Sequence, residues 1–103
     1  MIKIILACAG GFSTSLLVSK MQAAALKKGI DVEIEAIAET NVENYSDMDI
    51  LLLGPQIGHR LSILEKEVKC PVMIIDQYDY GTMNGEKVLE FALQTIKGKK
   101  EEN

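Results

Sequence analysis

Short apolar runs alternate with segments of helical periodicity along this chain. The predicted strands are residues 3–8, 31–36, 49–53 and 72–75. In the second of them, apolar residues alternate with acids, which is typical of a strand at a sheet edge. The third is apolar throughout, as expected for a central strand buried on both faces. The pattern therefore predicts a sheet with the second strand outermost and the third inside.

Three helices are predicted between and after these strands. They cover about residues 13–28, 56–68 and 85–97. Gly29 follows two lysines and is a typical stop residue for the first helix, and Asn84 is a suitable cap for the last. A short helical turn is expected within 40–46, a loop over 76–83 and a frayed tail over 98–103.

This order of elements predicts an α/β fold in one domain, residues 1–103. Strands joined through helices form parallel sheets covered by helices on both faces. Right-handed crossovers give the strand order 2-1-3-4. The winding direction then reverses between strands one and three, and ligands of such sheets bind at the carboxyl edge beside that reversal.

Cys8 ends the first predicted strand at this edge. It is followed by a loop of small and hydroxyl-bearing residues that leads into the first helix: Ala9, Gly10, Gly11, Phe12, Ser13, Thr14 and Ser15. A helix N-terminus favours an anion, glycines allow a tight turn, and backbone amides and hydroxyls supply donors to phosphate oxygens. We therefore predict that Cys8 is a nucleophile that carries phosphate, and that residues 9–15 bind the phosphoryl group.

This hypothesis competes with simpler and with related interpretations. A lone cysteine is more often a small buried apolar residue. The Gly-Lys-Ser/Thr ending of a nucleotide P-loop and the G-x-G-x-x-G fingerprint are both absent. A receiver-like regulatory domain presents acids at the strand ends, where this chain has Cys8. The hypothesis also requires a sulfur poised for transfer, rather than one enclosed in the interior with the neighbouring amides pointing elsewhere.

A small cysteine-dependent phosphatase is the main alternative. Such enzymes clamp the phosphate with an arginine shortly after the cysteine, and this chain has no arginine or lysine between Cys8 and Lys20. Without a guanidinium, hydrolysis of a phosphocysteine loses transition-state stabilisation. A slowly hydrolysed intermediate is better suited to a relay that passes phosphate onward.

Charge and composition limit which other functions the sequence allows. The net charge of −4 argues against a nucleic-acid surface. No apolar run approaches the roughly 20 residues needed to cross a bilayer, so no membrane insertion is expected, and a cytoplasmic location is the default. With two cysteines far apart and one histidine, neither a metal site nor a cofactor is predicted.

Cys70 is predicted to lie at the amino end of strand four. Cys8 lies at the carboxyl end of strand one, so the two cysteines are expected at opposite ends of the sheet, separated by roughly 20 Å along the strands. Disulfide geometry needs Cα atoms within about 7 Å. We therefore expect no bond between the two cysteines and a structural role for Cys70.

The chain resembles the IIB components of the bacterial sugar phosphotransferase system, in the lactose/cellobiose/diacetylchitobiose branch. The resemblance rests on residues 4–17 around the cysteine, on Leu52-Leu53-Gly54-Pro55-Gln56, and on Tyr80-Gly81-x-Met83-Asn84-Gly85. The family has a loop architecture similar to that of low-molecular-weight tyrosine phosphatases.

The resemblance implies a phosphotransferase without metal or cofactor. Cys8 would accept phosphate from a phosphohistidine of a IIA partner and pass it to a sugar held by a membrane-embedded IIC partner. The implied sugar is a β-linked disaccharide such as cellobiose, chitobiose or lactose, and its identity stays open.

Other residues near the predicted edge have weaker claims to a role. His59 and Arg60 are interpreted as helix residues, with a weaker hypothesis that either lends positive charge to the phosphate or to a docked IIA. Tyr78, Tyr80 and Met83, in an aromatic loop, either dock a partner or cover the core. Acids at 76 and 79 are expected to shape a turn.

Overall fold

The four strands form one parallel sheet in the order β2-β1-β3-β4, which confirms the predicted topology. In the computed structural model, which describes residues 1–9 and 12–101 and the side chains of 1–9 and 14–98, the strands are β1 (Ile2–Cys8), β2 (Val32–Ala38), β3 (Ile50–Leu53) and β4 (Val72–Ile74). β2 lies at an edge and β3 inside, as expected. β2 runs two residues beyond its predicted end because it pairs with β1 as far as Cys8.

The helices lie between and after the strands. They are α1 (Phe12–Lys28), α2 (Leu61–Glu67), α3 (Gln77–Gly81) and α4 (Gly85–Glu101), with 3₁₀ turns at Glu39–Asn44 and Pro55–Arg60. The single helix predicted for 56–68 is thus two elements. Pro55 starts the 3₁₀ turn, and Ile57 has φ −113° and ψ 22°, which is outside the helical region. This break lies within the 3₁₀ segment, and the regular helix α2 begins only at Leu61.

Two further predictions of local structure are corrected. The loop expected over 76–83 contains α3, whose first turn is capped by the Asp76 carboxylate, which accepts from the Asp79 backbone N–H at 3.1 Å. The Asp76 side chain therefore shapes this segment, as anticipated, whereas Asp79 contributes its backbone N–H to the cap. The tail expected from residue 98 is helical through Glu101, because Gly98 continues the helix and is followed by lysines and a glutamate, which are good helix formers.

Core residues lie on both faces of the sheet. On one face, Ile4 and Leu6 of β1 pack with α1 and α4; on the other, Ile5 and Ala7 pack with α2 and the 3₁₀ turns. All four side chains are fully buried. The continuous apolar run of β1 thus follows from its position between two helical layers.

Helices α1 and α4 pack closely at one point. A Cβ added to Gly85 would lie 2.5 Å from the carbonyl carbon of Lys20 and 2.6 Å from the backbone nitrogen of Met21. Real Cβ atoms do not approach backbone so closely, so only glycine fits here. At the other end of α1, Lys28 Nζ lies 2.7 Å from Glu90 Oε1.

We expect Gly85→Ala to lower the free energy of unfolding by about 1–3 kcal/mol, because the methyl group would push α4 away from the α1 backbone. The matched control is Gly98→Ala in the same helix, where no atom lies within 4 Å of the added Cβ. That change should leave stability equal or raise it by up to about 1 kcal/mol. Urea denaturation measures both, and equal effects of the two substitutions would contradict the packing argument.

Candidate active site

Cys8 lies at the carboxyl edge of the sheet, as predicted. It is the last residue of β1 and pairs in register with Ala38 of β2. On the β3 side, the Gly54 backbone N–H donates to the carbonyl oxygen of Ala7 at 3.0 Å. The backbone at Cys8 is thus paired with β2, the pairing with β3 ends one residue earlier at Ala7, and α1 begins four residues later at Phe12.

The side chain of Cys8 is almost fully covered. Its exposed fraction is 3%. Burial is one of the two features that together would contradict the predicted role, and the other, the direction of the Gly10 and Gly11 amides, lies outside the described residues. The sequence pattern places the cysteine at the edge without showing this cover, and its role as a nucleophile stays a prediction.

The loop after Cys8 is described in part. Gly10 and Gly11, predicted to bind phosphate with their amides, lie outside the described residues. Ala9 is exposed, and the backbone of Phe12 and Ser13 forms the first turn of α1. The structure thus brings the α1 N-terminus to the same edge as Cys8, and the direction of the Gly10 and Gly11 amides stays a prediction.

Thr14 and Ser15 differ sharply in their surroundings. Ser15 is exposed, whereas Thr14 is 1% exposed and is the only polar side chain found buried among the described residues. Thr14 Oγ1 lies 3.4 Å from the hydroxyl of Tyr80 in α3. This contact ties the first turn of α1 to α3, so it holds the end of the predicted phosphate loop, residues 9–15, against the core.

The remaining candidate residues are spread along this edge. His59 is exposed in the 3₁₀ turn after β3, and Arg60 Nε lies 3.3 Å from Glu39 Oε2. The Arg60 charge therefore already has an acidic partner. Tyr80 is 7% exposed, and Met83 is half-buried against the core with a positive φ of 54°. Neither offers a large surface to a partner.

Sequence analysis gave no role to two residues that lie beside Cys8. A Cβ added to Gly54 would lie 3.6 Å from Cys8 Cβ and 2.8 Å from Gln56 Oε1. Gly54 thus leaves space next to the cysteine, and the Gln56 carboxamide folds back over that space. The available signal was their position directly after β3, since the carboxyl ends of neighbouring parallel strands share one edge.

A cleft opens next to this group. Its volume is about 500 Å³, and it is lined by Pro55, Gln56, Gln77, Tyr80 and Gly81. None of these lining side chains is charged. The cleft connects the turn after β3 with α3, so it lies on the same edge as Cys8.

Comparison with known proteins identifies the family. The family model described as "PTS system, Lactose/Cellobiose specific IIB subunit" matches residues 3–91. The chain belongs to this family. The resemblance of the cysteine segment is thereby confirmed.

Individual relatives of this IIB chain carry several sugar names. It is 44% identical to the galactose-specific EIIB component of Lactococcus lactis subsp. cremoris and to the cellobiose-specific EIIB component of Lactococcus lactis subsp. lactis, each over 86% of this chain and 91% of the relative. It is 41% identical to the oligo-beta-mannoside-specific EIIB component of Bacillus subtilis, over 91% of this chain and 95% of the relative.

Solved structures show the same fold. The cellobiose-specific IIB component of Borrelia burgdorferi superposes with a TM-score of 0.79 at 40% identity, over 94% of this chain and 93% of that one. The lactose-specific IIB domain of Streptococcus pneumoniae gives a TM-score of 0.80 at 17% identity, over 91% and 96%. The second comparison supports the fold alone.

The part of the IIB chain that the structure describes carries neither a membrane-spanning helix nor a cluster of metal-ligating residues. Among these residues no helix has the length and apolar character needed to cross a membrane. The described side chains also form no group of three or more His, Cys, Asp or Glu residues suited to a metal ion.

Cys70 lies away from Cys8, near the amino end of β4. Neither cysteine forms a disulfide. Burial raises the pKa of the Cys70 thiol, and the Asp49 carboxylate raises it further, while backbone hydrogen bonds act in the opposite direction. A raised pKa leaves less thiolate at a given pH, so Cys70 is poorly suited to nucleophilic attack.

In the Cys8→Ser variant, where Cys70 is the only cysteine, we expect alkylation by iodoacetamide to have a higher pH midpoint in the folded protein than in urea. The reason is that burial, which disfavours the thiolate, is lost on unfolding. Mass spectrometry of alkylated protein across a pH series measures both midpoints. A folded midpoint at or below the unfolded one would refute this explanation.

Proposed function

We propose that this IIB chain carries a phosphoryl group on Cys8 between a IIA protein and a sugar. In the first step the Cys8 thiolate attacks the phosphorus of a phosphohistidine on IIA. An S–P bond forms, the N–P bond breaks, and the imidazole leaves with the electron pair. In the second step a sugar hydroxyl attacks the same phosphorus, the S–P bond breaks, the thiolate leaves, and the hydroxyl proton passes to solvent.

The observation that carries this proposal is the position of Cys8. It ends a central strand at the point where the chain reverses its winding, and α1 starts within four residues. Such a position combines a nucleophile with the amide donors and the dipole of a helix N-terminus. Membership of the IIB family supports the same role.

The sequence has no arginine or lysine between Cys8 and Lys20, which supports transfer over hydrolysis. Thr14, Gln56 and Tyr80 supply hydroxyl and carboxamide groups at this edge, and Arg60 is paired with Glu39. Phosphoryl transfer depends mainly on positioning and charge stabilisation. An incoming phosphohistidine is already activated, so no metal or nucleotide enters the proposal.

The burial of Cys8 adds a requirement to the proposal. Because the side chain is 3% exposed, docking of IIA has to accompany an opening of the segments around the sulfur. We place His59, whose side chain is exposed on this edge, in the surface that IIA would meet. Tyr80 and Met83, also candidates for docking, would contribute only the parts of their side chains that reach the surface.

The names of the relatives support β-linked sugars as the cargo. One is cellobiose-specific and another oligo-beta-mannoside-specific. We therefore propose a β-linked disaccharide such as cellobiose, chitobiose or lactose as the acceptor. It would be held by a membrane IIC partner, with this chain acting at the cytoplasmic side.

The central test is phosphorylation of the purified chain by a IIA protein of this family, charged from phosphoenolpyruvate through the general phosphotransferase proteins. Intact-protein mass spectrometry should show a gain of one phosphoryl group. The phosphorylated chain should show the stability in acid and alkali that is expected of phosphocysteine, and the Cys8→Ser variant should not. The Cys70→Ser control should be phosphorylated in the same way as the unsubstituted chain.

Two outcomes would contradict the proposal. One is unchanged phosphorylation of Cys8→Ser at another residue. The other is turnover of p-nitrophenyl phosphate by the chain alone, with loss of that activity in Cys8→Ser, which would instead indicate the phosphatase alternative.

A further inference from the structure

The Gln56 carboxamide lies within reach of a phosphoryl group on Cys8. Gln56 Oε1 and Cys8 Cβ lie 2.8 Å and 3.6 Å from one common point, the position of a Cβ on Gly54. The oxygens of a phosphocysteine extend about 4 Å from Cβ, and a hydrogen bond adds about 2.8 Å. The carboxamide therefore does not have to move far to touch a phosphoryl oxygen.

The backbone fixes the position of the residue that carries this carboxamide, while its exposed side chain can rotate. Gln56 follows Pro55, the first residue of a 3₁₀ turn that starts directly after β3. The Gly54 backbone N–H donates to Ala7, the residue before the cysteine. The turn that carries Gln56 is thus fixed to the strand that carries Cys8.

The chemistry of a carboxamide suits a phosphoryl carrier. Its NH₂ group supplies two donors and no charge, and rotation about the last side-chain bond exchanges its N and O atoms. A neutral donor stabilises the transferred group less strongly than a guanidinium clamp does. It therefore supports transfer without making the phosphocysteine too stable to pass on.

We infer that Gln56 is a phosphoryl-binding residue, whose Nε2–H donates to an oxygen of the group carried on Cys8. This inference rests on the proposed function. It extends that function by naming a donor that follows β3, far in sequence from the predicted phosphate loop at the start of α1. Gly54 is the residue that allows the contact, because its missing side chain leaves the space over which the carboxamide folds.

The first test replaces Gln56 by methionine, which has similar length but no donor. We expect the rate of phosphotransfer from charged IIA to fall about tenfold at saturating IIA, because the lost hydrogen bond acts on the transferring group. The rate of phosphotransfer to Gln56→Glu should fall further, because the carboxylate of the glutamate repels the phosphoryl oxygens. The ³¹P resonance of the phosphocysteine should also shift in Gln56→Met.

The matched control is Gln94→Met, an exposed glutamine of α4, which should keep both the rate and the ³¹P shift. If Gln56→Met transfers phosphate at the unmodified rate with an unchanged resonance, the inference fails. A higher KM for IIA at unchanged kcat would also overturn it, because that pattern indicates lost docking. Failure of the unmodified chain to take phosphate on Cys8 would instead refute the proposed function.

The second test displaces the carboxamide without removing it. The methyl group of Gly54→Ala would overlap Gln56 Oε1 and meet Cys8 Cβ at an ordinary contact distance of 3.6 Å. Gly54 has φ −59° and ψ 147°, which alanine adopts readily. The side chain of Gln56 can swing away, so urea denaturation should show near-unchanged stability.

We expect Gly54→Ala to slow phosphotransfer, as Gln56→Met does. The variant that carries both substitutions should transfer phosphate no more slowly than the slower of the two single variants. Such non-additivity shows that both changes remove the same contact. Additive losses in the double variant would mean that Gly54 and Gln56 act independently, and would overturn the inference.

Discussion

The pairing of β1 with a strand on each side is the constraint on which the rest of the molecule depends. Ile4, Ile5, Leu6 and Ala7 are fully buried between two helical layers, and the ladder to β2 continues through Cys8. The backbone at the cysteine is thus held by hydrogen bonds within the sheet and by packing above and below it. The carboxyl edge is therefore built on a backbone that is packed on both faces and hydrogen-bonded within the sheet.

The order of the strands decides which groups share the carboxyl edge. A parallel sheet gathers the residues that follow its strands, so the start of α1 and the 3₁₀ turn after β3 lie at the same edge as Cys8. Among the described residues, this edge carries the hydroxyls of Thr14 and Tyr80 and the carboxamide of Gln56, and Arg60 lies against Glu39. Under the proposed function, the phosphoryl group on Cys8 therefore meets neutral donors, which favours transfer over hydrolysis.

The topology could be predicted from the sequence because the hydrophobic patterns that indicate the strands and helices extend over many residues. Apolar runs located the strands, and right-handed crossovers then left one strand order. Short-range features were harder: α3 has five residues, too few for a helical period, and the break at Ile57 depends on local backbone geometry. The burial of Cys8 and the contact of Thr14 with Tyr80 were unpredictable, because each arises from segments far apart in sequence.

The buried sulfur poses a problem that any carrier of a reactive phosphoryl group shares. Water hydrolyses an exposed phosphocysteine, so a covered sulfur protects the intermediate between donor and acceptor. The same cover excludes both partners unless docking opens it. The strand hydrogen bonds act on the backbone at Cys8 and not on the atoms that cover its side chain. Under the proposed function, docking of IIA therefore has to uncover a sulfur whose backbone the sheet already holds in place.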